Sequence, residues 1–182
     1  AYVEAAAGLT GLVSGWPGKD EGVPLEIPVI EIGDGDETRL PEAGVRSAVV
    51  PHAPDITALA HRLAFAGCVI TYSGDTNVAP AVMVPLADGA DLLIHEAYSE
   101  AGLADWTATT ADATRRERIL SVFAATHSRV DAVAMAAAES GAKRLLLTHL
   151  NPGEQPVRLA EEARAYFHGE VIVAADGLTL EL

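Results

Sequence analysis

The sequence has little cysteine, little positive charge and no long apolar run, and each shortage excludes a class of protein. Cys68 is the single cysteine in 182 residues, so no intrachain disulfide can form and a reducing compartment fits. No segment reaches the roughly 18 uninterrupted apolar residues of a membrane helix. The net charge of −14 disfavours general adhesion to nucleic acid or to anionic membranes. These features predict a soluble, cytoplasmic protein.

Several common catalytic motifs are missing as well. The residues around Ser73 lack both outer glycines of a serine-hydrolase Gly-x-Ser-x-Gly turn. No Walker A loop and no Gly-x-Gly-x-x-Gly follows any predicted strand. The acidic turn "GDGDE" lacks the later glycine and the final glutamate of an EF-hand calcium loop. Metal-assisted hydrolysis is the chemistry that these eliminations leave open.

Short apolar runs alternate with helical patterns, which predicts an α/β fold. The hydrophobic fraction of 49% is enough for the core of one compact unit, or of a piece of a larger one. The runs 58–65 and 68–73 predict a hairpin that turns at Ala66 and Gly67. Asn77 is predicted to cap a short helix with Pro80 in its first turn, and Ser128 with Asp131 to cap an Ala-rich helix that Gly141 stops. Further strands are predicted at 25–32, 45–52, 91–97, 144–150 and on both sides of an Asp-Gly turn in 171–182, and further helices at 2–13, 114–123 and 155–167.

Polar residues collect at the ends of these strands or at a helix entry. The candidates are His52, Asp75, the pair His95 and Glu96, His127 and His149. Each one alone has a structural explanation, as a hydrogen-bonded histidine or as a turn residue. Together they indicate a site, because sites in layered α/β folds lie at the carboxyl ends of strands. His and Asp are also ligands that suit zinc, and one Asp can bridge two metals.

Five segments resemble the metallo-β-lactamase superfamily, specifically its ribonuclease Z and arylsulfatase-like branch. They occur in the same order as in that family, from roughly Ile27 to Leu182. The resemblance implies an αββα sandwich, of which residues 1–182 would be a single partial domain holding mainly the C-terminal αβ half. The segments are "VPHAPDITALAHRLAF", "VITYSGDTN", "ADLLIHEAYS", "THSRVDAVAMAAAESGAKRLLLTHL" and "VAADGLTLEL".

The resemblance also implies a role for each candidate. His52 would be a ligand of a first metal, Asp75 the carboxylate that bridges two metals, and His149 a ligand of the second. His127 would lie near the scissile phosphate and protonate the leaving group, with Glu96 orienting it. A complete site of this family would hold two zinc ions, with manganese or iron as alternatives.

One departure from the family is large, because its His-x-His-x-Asp-His motif does not occur in this chain. Each metal would then have two protein ligands, below the three that catalytic zinc sites usually retain. The chain also begins with Ala1 rather than Met. We therefore expect the C-terminal portion of a longer enzyme, inactive by itself.

The full-length protein is predicted to be a metal-dependent hydrolase of a phosphodiester or a similar anionic ester. A small ester is favoured over nucleic acid, because the interval between His52 and Asp75 has room for a hairpin and not for the long arm that grips transfer RNA. Ribonuclease Z-like processing of tRNA 3′ ends and arylsulfatase-like activity stay open. The segment "TRRER" is either a local cationic patch or a solvated helix face.

Two hypotheses of a different class also stay open. The chain could be an inactive half-domain that acts through protein association, including homo-oligomerisation through an exposed sheet edge. It could also be an unrelated α/β binding module.

Overall fold

A single sheet runs through the computed structural model, which describes residues 31–182. Among these residues the sheet has seven strands, and their order in the sheet is their order in the chain. The predicted helix at 2–13 and nearly all of the predicted strand at 25–32 lie outside the described residues. The strands are β1 (Glu37–Arg39), β2 (Ala43–Val50), β3 (Ala58–Phe65), β4 (Cys68–Tyr72), β5 (Leu92–Glu96), β6 (Arg144–Thr148) and β7 (Glu170–Val173).

The first four strands are antiparallel and the last four are parallel. The predicted hairpin is confirmed, since β3 pairs with β4 from Phe65 opposite Cys68 onwards. Ala66 and Gly67 form its two-residue turn with φ values of 50° and 83°. Positive φ at both central positions is the geometry of a type I′ turn, whose twist matches that of the strands it joins.

Five helices in the described residues connect the parallel strands. They are α1 (Pro80–Leu86), α2 (Glu100–Ala108), α3 (Ala113–Thr126), α4 (Val130–Glu139) and α5 (Pro156–Arg164). The order of β4 to β7 never reverses, so right-handed crossovers carry the connections to one face of the sheet. Helices α1, α4 and α5 supply buried residues to a shared core with Leu93, Leu145 and Leu147 of the sheet. None of the described helices is long and apolar enough to cross a membrane.

The opposite face of the sheet is apolar too. Strand register places Ile70, Leu92, Ile94, Leu146 and Ile172 on that face, because paired residues of parallel strands point to the same side. None of the five belongs to the core under the helices, and all except Leu92 are only half-buried. The sheet therefore has the two apolar faces that an inner layer of a sandwich has.

Two predicted helix caps are wrong, for the same physical reason. Helix α1 begins after Ala79, and the Asn77 amide instead donates to the carbonyl of Ala125 at 2.9 Å. Helix α4 begins after Arg129, and the Ser128 hydroxyl instead donates to the carbonyl of Thr76 at 2.6 Å. Both side chains hydrogen-bond to distant backbone, which local spacing does not reveal.

The two ends of the described chain also differ from expectation. The segment after the Asp-Gly turn, 178–182, forms no strand, so the chain ends in irregular structure after β7. Near the other end, the acidic turn leads directly into β1, a strand that the sequence did not predict. Each of these segments is short and flanked by charge, so periodicity carries little information there.

Candidate metal and proton-transfer site

Four of the predicted site residues lie at one edge of the sheet. Strands β2, β4, β5 and β6 point the same way, and their carboxyl ends are followed by or contain His52, Asp75, Glu96 and His149. His127 reaches the same place from elsewhere, as the residue at which α3 ends. The sheet thus brings together residues that are far apart in the chain.

Glu96 and His127 form a hydrogen-bonded pair. The Nδ1 atom of His127 lies 2.8 Å from Oε2 of Glu96, whose side chain is only 3% exposed. This hydrogen bond raises the pKa of His127, against the opposing effect of partial burial. Because Nδ1 donates to the carboxylate, Nε2 is the ring nitrogen left to exchange a proton with another group.

The loop after β4 holds Glu96 in place. The second carboxylate oxygen of Glu96 accepts from the backbone N–H of Thr76 at 2.5 Å, and its own N–H donates to the Ser73 hydroxyl at 3.2 Å. Gly74 turns this loop at a φ of +61°, and a Cβ there would lie 2.8 Å from the carbonyl oxygen of Leu59. The glycine is therefore required by both conformation and space.

His52 is oriented by the backbone of α3. Its Nδ1 donates to the carbonyl of Thr126 at 2.9 Å, which leaves Nε2 free for a ligand. A hydrogen bond from the second ring nitrogen is the usual way in which proteins fix a metal-binding histidine. The His52 and His127 rings meet edge to face with centroids 5.2 Å apart.

Asp75 and His149 approach each other at the open side of the site. The Nε2 atom of His149 lies 3.5 Å from Oδ2 of Asp75, and their side chains are 52% and 41% exposed. The His149 ring also stacks on His127 with centroids 5.5 Å apart. His149 is the residue directly after the end of β6, and its φ of 53° is uncommon for a residue other than glycine. Such outliers concentrate at functional positions.

These donors have the chemistry of a zinc site but not the number. His52, Asp75 and His149 supply imidazole and carboxylate, the ligand types that zinc takes. Within residues 31–182, however, no three His, Cys, Asp or Glu side chains are grouped closely enough to hold a metal ion. The described residues therefore fit part of a metal site.

The chain is similar to known proteins over most of its length. No family model matches the chain. It is 37% identical over 115 residues to ribonuclease Z of Myxococcus xanthus, covering 62% of this chain and 32% of that protein. It is 35% identical over 116 residues to ribonuclease Z of Methanothermobacter thermautotrophicus, covering 64% of this chain and 33% of that protein.

The structural comparison agrees. A metallo-β-lactamase fold protein of Bacillus subtilis superposes with a TM-score of 0.64 at 25% identity, covering 82% of this chain and 54% of that one. The chain has part of a metallo-β-lactamase fold and resembles ribonuclease Z. Human tRNase Z, short form, shares the fold with a TM-score of 0.52 at 24% identity, over 79% of this chain and 44% of that one. The chain spans about a third of the length of the curated relatives named above.

His95 is the candidate that this metallo-β-lactamase fold separates from the others. It precedes Glu96 on β5, so the two side chains point to opposite faces of the sheet. His95 is fully buried and pairs in register with Leu147 of the helical core. Burial lowers the pKa of His95 to about 4. Its Nδ1 donates to the Glu96 carbonyl at 2.7 Å, and Nε2 has no partner among the described residues.

One cavity in the described part of this fold lies away from the site. It has a volume of about 800 Å³, is lined by β1, β2 and β3, and contains none of the candidate residues. Closer to the site, Phe123 of α3 packs on the His127 ring with centroids 4.6 Å apart. The sequence analysis did not single out Phe123, although side chains four positions apart on a helix, such as Phe123 and His127, are neighbours.

Proposed function

We propose that this chain supplies one αβ half of a metal-dependent hydrolase that cleaves phosphodiesters. His52, Asp75 and His149 are its metal ligands, and Glu96 with His127 is its proton-transfer pair. The observation that carries the proposal is the buried Glu96 carboxylate, 2.8 Å from His127 within a group of three imidazole rings beside Asp75. Similarity to proteins named ribonuclease Z supports the reaction class.

The pair is suited to protonate a leaving oxygen. The Glu96 carboxylate accepts from Nδ1 of His127 and stabilises the charged imidazolium, so the ring is held protonated to a higher pH than a free histidine. The proton on Nε2 is then the one transferred when the ester bond breaks. The Thr76 N–H keeps Glu96 from rotating while this happens. Divalent cations held by His52, Asp75 and His149 would add Lewis-acid stabilisation of the developing negative charge.

The substrate class follows from two opposing observations. The relatives are named ribonuclease Z, which favours an RNA phosphodiester. The net charge of −14 and the short β3–β4 hairpin favour a smaller anionic ester. A phosphodiester bond is compatible with both observations, and RNA is the first substrate to test.

We further propose that residues 1–182 are one partial domain, and that the remaining metal ligands come from a segment bearing the His-x-His-x-Asp-His motif. Zinc titration by calorimetry tests this directly. The chain alone is expected to bind zinc weakly, and Asp75→Asn or His149→Gln should weaken the binding further. Tight binding of two zinc ions by this chain alone would contradict the proposal.

Hydrolysis is tested in the protein made from its complete reading frame, with bis(4-nitrophenyl) phosphate and a tRNA precursor as substrates. Asp75→Asn and His149→Gln should remove both the bound metal and the activity. His127→Gln should keep the metal and lower the rate about 100-fold or more, the usual contribution of a general acid. Full activity and metal content in the Asp75 and His149 variants would refute the assignment.

A second candidate function is an inactive half-domain that acts by association. The apolar sheet face that includes Ile70, Ile94 and Leu146 supports it, because such faces are normally covered. Analytical ultracentrifugation of the chain, combined with the hydrolysis assay, distinguishes the two candidate functions. A stable dimer in a protein that binds no metal and cleaves neither substrate would favour association.

A further inference from the structure

A cleft between α2 and α3 lies beside the proposed proton-transfer pair. It has a volume of about 350 Å³, more than twice the roughly 150 Å³ of a cavity that holds benzene. Helix α3 has no buried residue, so its apolar side chains remain partly open to solvent, Val122 being 47% exposed. The cleft is lined by Trp106, Arg115, Arg118, Ile119, Val122 and Phe123.

Aromatic rings connect the cleft to the site. The Trp106 and Phe123 rings meet edge to face with centroids 5.4 Å apart, and the centroid of Phe123 lies 4.6 Å from that of His127. Phe123 is therefore a wall of the cleft on one side and a contact of the proton-transfer pair on the other. A group bound in the cleft would be one ring away from His127.

Two arginines add positive charge to this aromatic surface. Arg115 and Arg118 both line the cleft and are exposed. Within the described part of the chain no carboxylate oxygen lies within 4.0 Å of either guanidinium group, whereas the guanidinium of the exposed Arg129 is paired with two carboxylates. In a chain with a net charge of −14, these two guanidinium groups form a local site for an anion.

We propose that the cleft binds a nucleoside phosphate unit of the substrate, with the base against Trp106 and Phe123 and the phosphate on Arg115 and Arg118. Aromatic stacking accepts any base, and arginine binds phosphate through paired N–H donors. The inference rests on the proposed function for the identity of the substrate and adds the place where the nucleotide next to the scissile bond is held.

Trp106 provides the measurement. The chain has two tryptophans, and Trp16→Phe leaves Trp106 as the single reporter. Titration of this variant with adenosine monophosphate, without added metal, should give a saturable change of tryptophan fluorescence. Phe123→Leu keeps an apolar side chain on α3 and should weaken binding about fivefold or more, because the stacking surface is lost. Arg115→Gln with Arg118→Gln should weaken it about tenfold and reduce its salt dependence.

Two controls make the outcome decisive. Arg39→Gln, on the edge strand β1 and outside the cleft, should bind as tightly as the parent. Far-UV circular dichroism and the urea midpoint of each variant establish that it is folded. No saturable signal in the folded parent, or equal affinity of the parent and the Phe123 and arginine variants, would overturn the proposal. Equal affinity for ribose 5-phosphate or phenyl phosphate would overturn the nucleotide assignment. Because no hydrolysis is measured, failure here is distinct from failure of the proposed function.

Discussion

Replacing Glu96 by Gln tests the proton-transfer pair without removing its side-chain volume. Glu96 is buried and accepts two hydrogen bonds, from the Thr76 N–H at 2.5 Å and from Nδ1 of His127 at 2.8 Å. A carboxamide has one acceptor oxygen and one NH₂ donor, so it can satisfy only one of these two N–H groups in their present orientation. The other donor would face the NH₂ group.

The magnitude follows from that mismatch. Leaving a buried donor without an acceptor costs about 1–3 kcal/mol, and we expect Glu96→Gln to lower the free energy of unfolding by this amount. The pKa of His127 should fall at the same time, since the hydrogen bond to the carboxylate is the main cause of its rise. If His127 changes tautomer so that Nδ1 accepts from the NH₂ group, the loss of stability should lie at the low end of this range, and the pKa of His127 should fall further.

Two assays on the chain measure both effects. Urea unfolding at pH 7 gives the stability change, and the His127 Cε1–H signal in an NMR titration gives its pKa. Because the pKa of His127 is raised in the folded state, its pairing stabilises the parent below the unfolded-state pKa, and this contribution is lost as the pH rises through the folded-state pKa. Glu96→Gln should remove this dependence.

A matched control is Glu100→Gln, which removes a carboxylate that is 71% exposed and paired with Arg129. Exposed pairs contribute little, so a change within about 0.5 kcal/mol is expected. An unchanged His127 pKa in Glu96→Gln would refute the reasoning that the carboxylate sets the protonation of the ring.

Three further substitutions test the parts that support the site. In the parent, the folded state keeps His95 neutral, so the free energy of unfolding should fall by about 3 kcal/mol between pH 6.5 and 4. His95→Gln should remove most of this loss, as measured by urea unfolding across that pH range. Gly74→Ala should lower the free energy of unfolding by about 1–3 kcal/mol, and more than Gly67→Ala, since both have positive φ but the added methyl group meets backbone only at Gly74. Asn77→Ala should cost about 1 kcal/mol through the lost hydrogen bond to α3, and equal stability of this variant and the parent would count against that bond.

Several elements were predictable because their signals are local. The hairpin of β3 and β4 follows from two apolar runs separated by Ala66-Gly67, and β5 and β6 follow from unbroken apolar runs. The placement of Asp75 and His149 at strand ends could be predicted in the same way. Their positions close together depend on strand order, which places the carboxyl ends of β4 and β6 at one edge.

Other features depend on partners that are distant in the chain. Asn77 and Ser128 have the residue types of helix caps, but tertiary hydrogen bonds to Ala125 and Thr76 take their side chains. The aromatic wall formed by Trp106 and Phe123 depends on how two helices pack, and no sequence spacing expresses that.

The sequence by itself determined the α/β class, the strands that carry the site, the family resemblance and the absence of the His-x-His-x-Asp-His motif. These depend on composition, short-range periodicity and the identity of residues at strand ends. The family resemblance already implied that Glu96 orients His127, and the structure gives the 2.8 Å contact between them. Only the tertiary structure decided that His95 faces the core. The physical reason is that adjacent residues of a strand point to opposite faces, and the contacts of each face come from segments far along the chain.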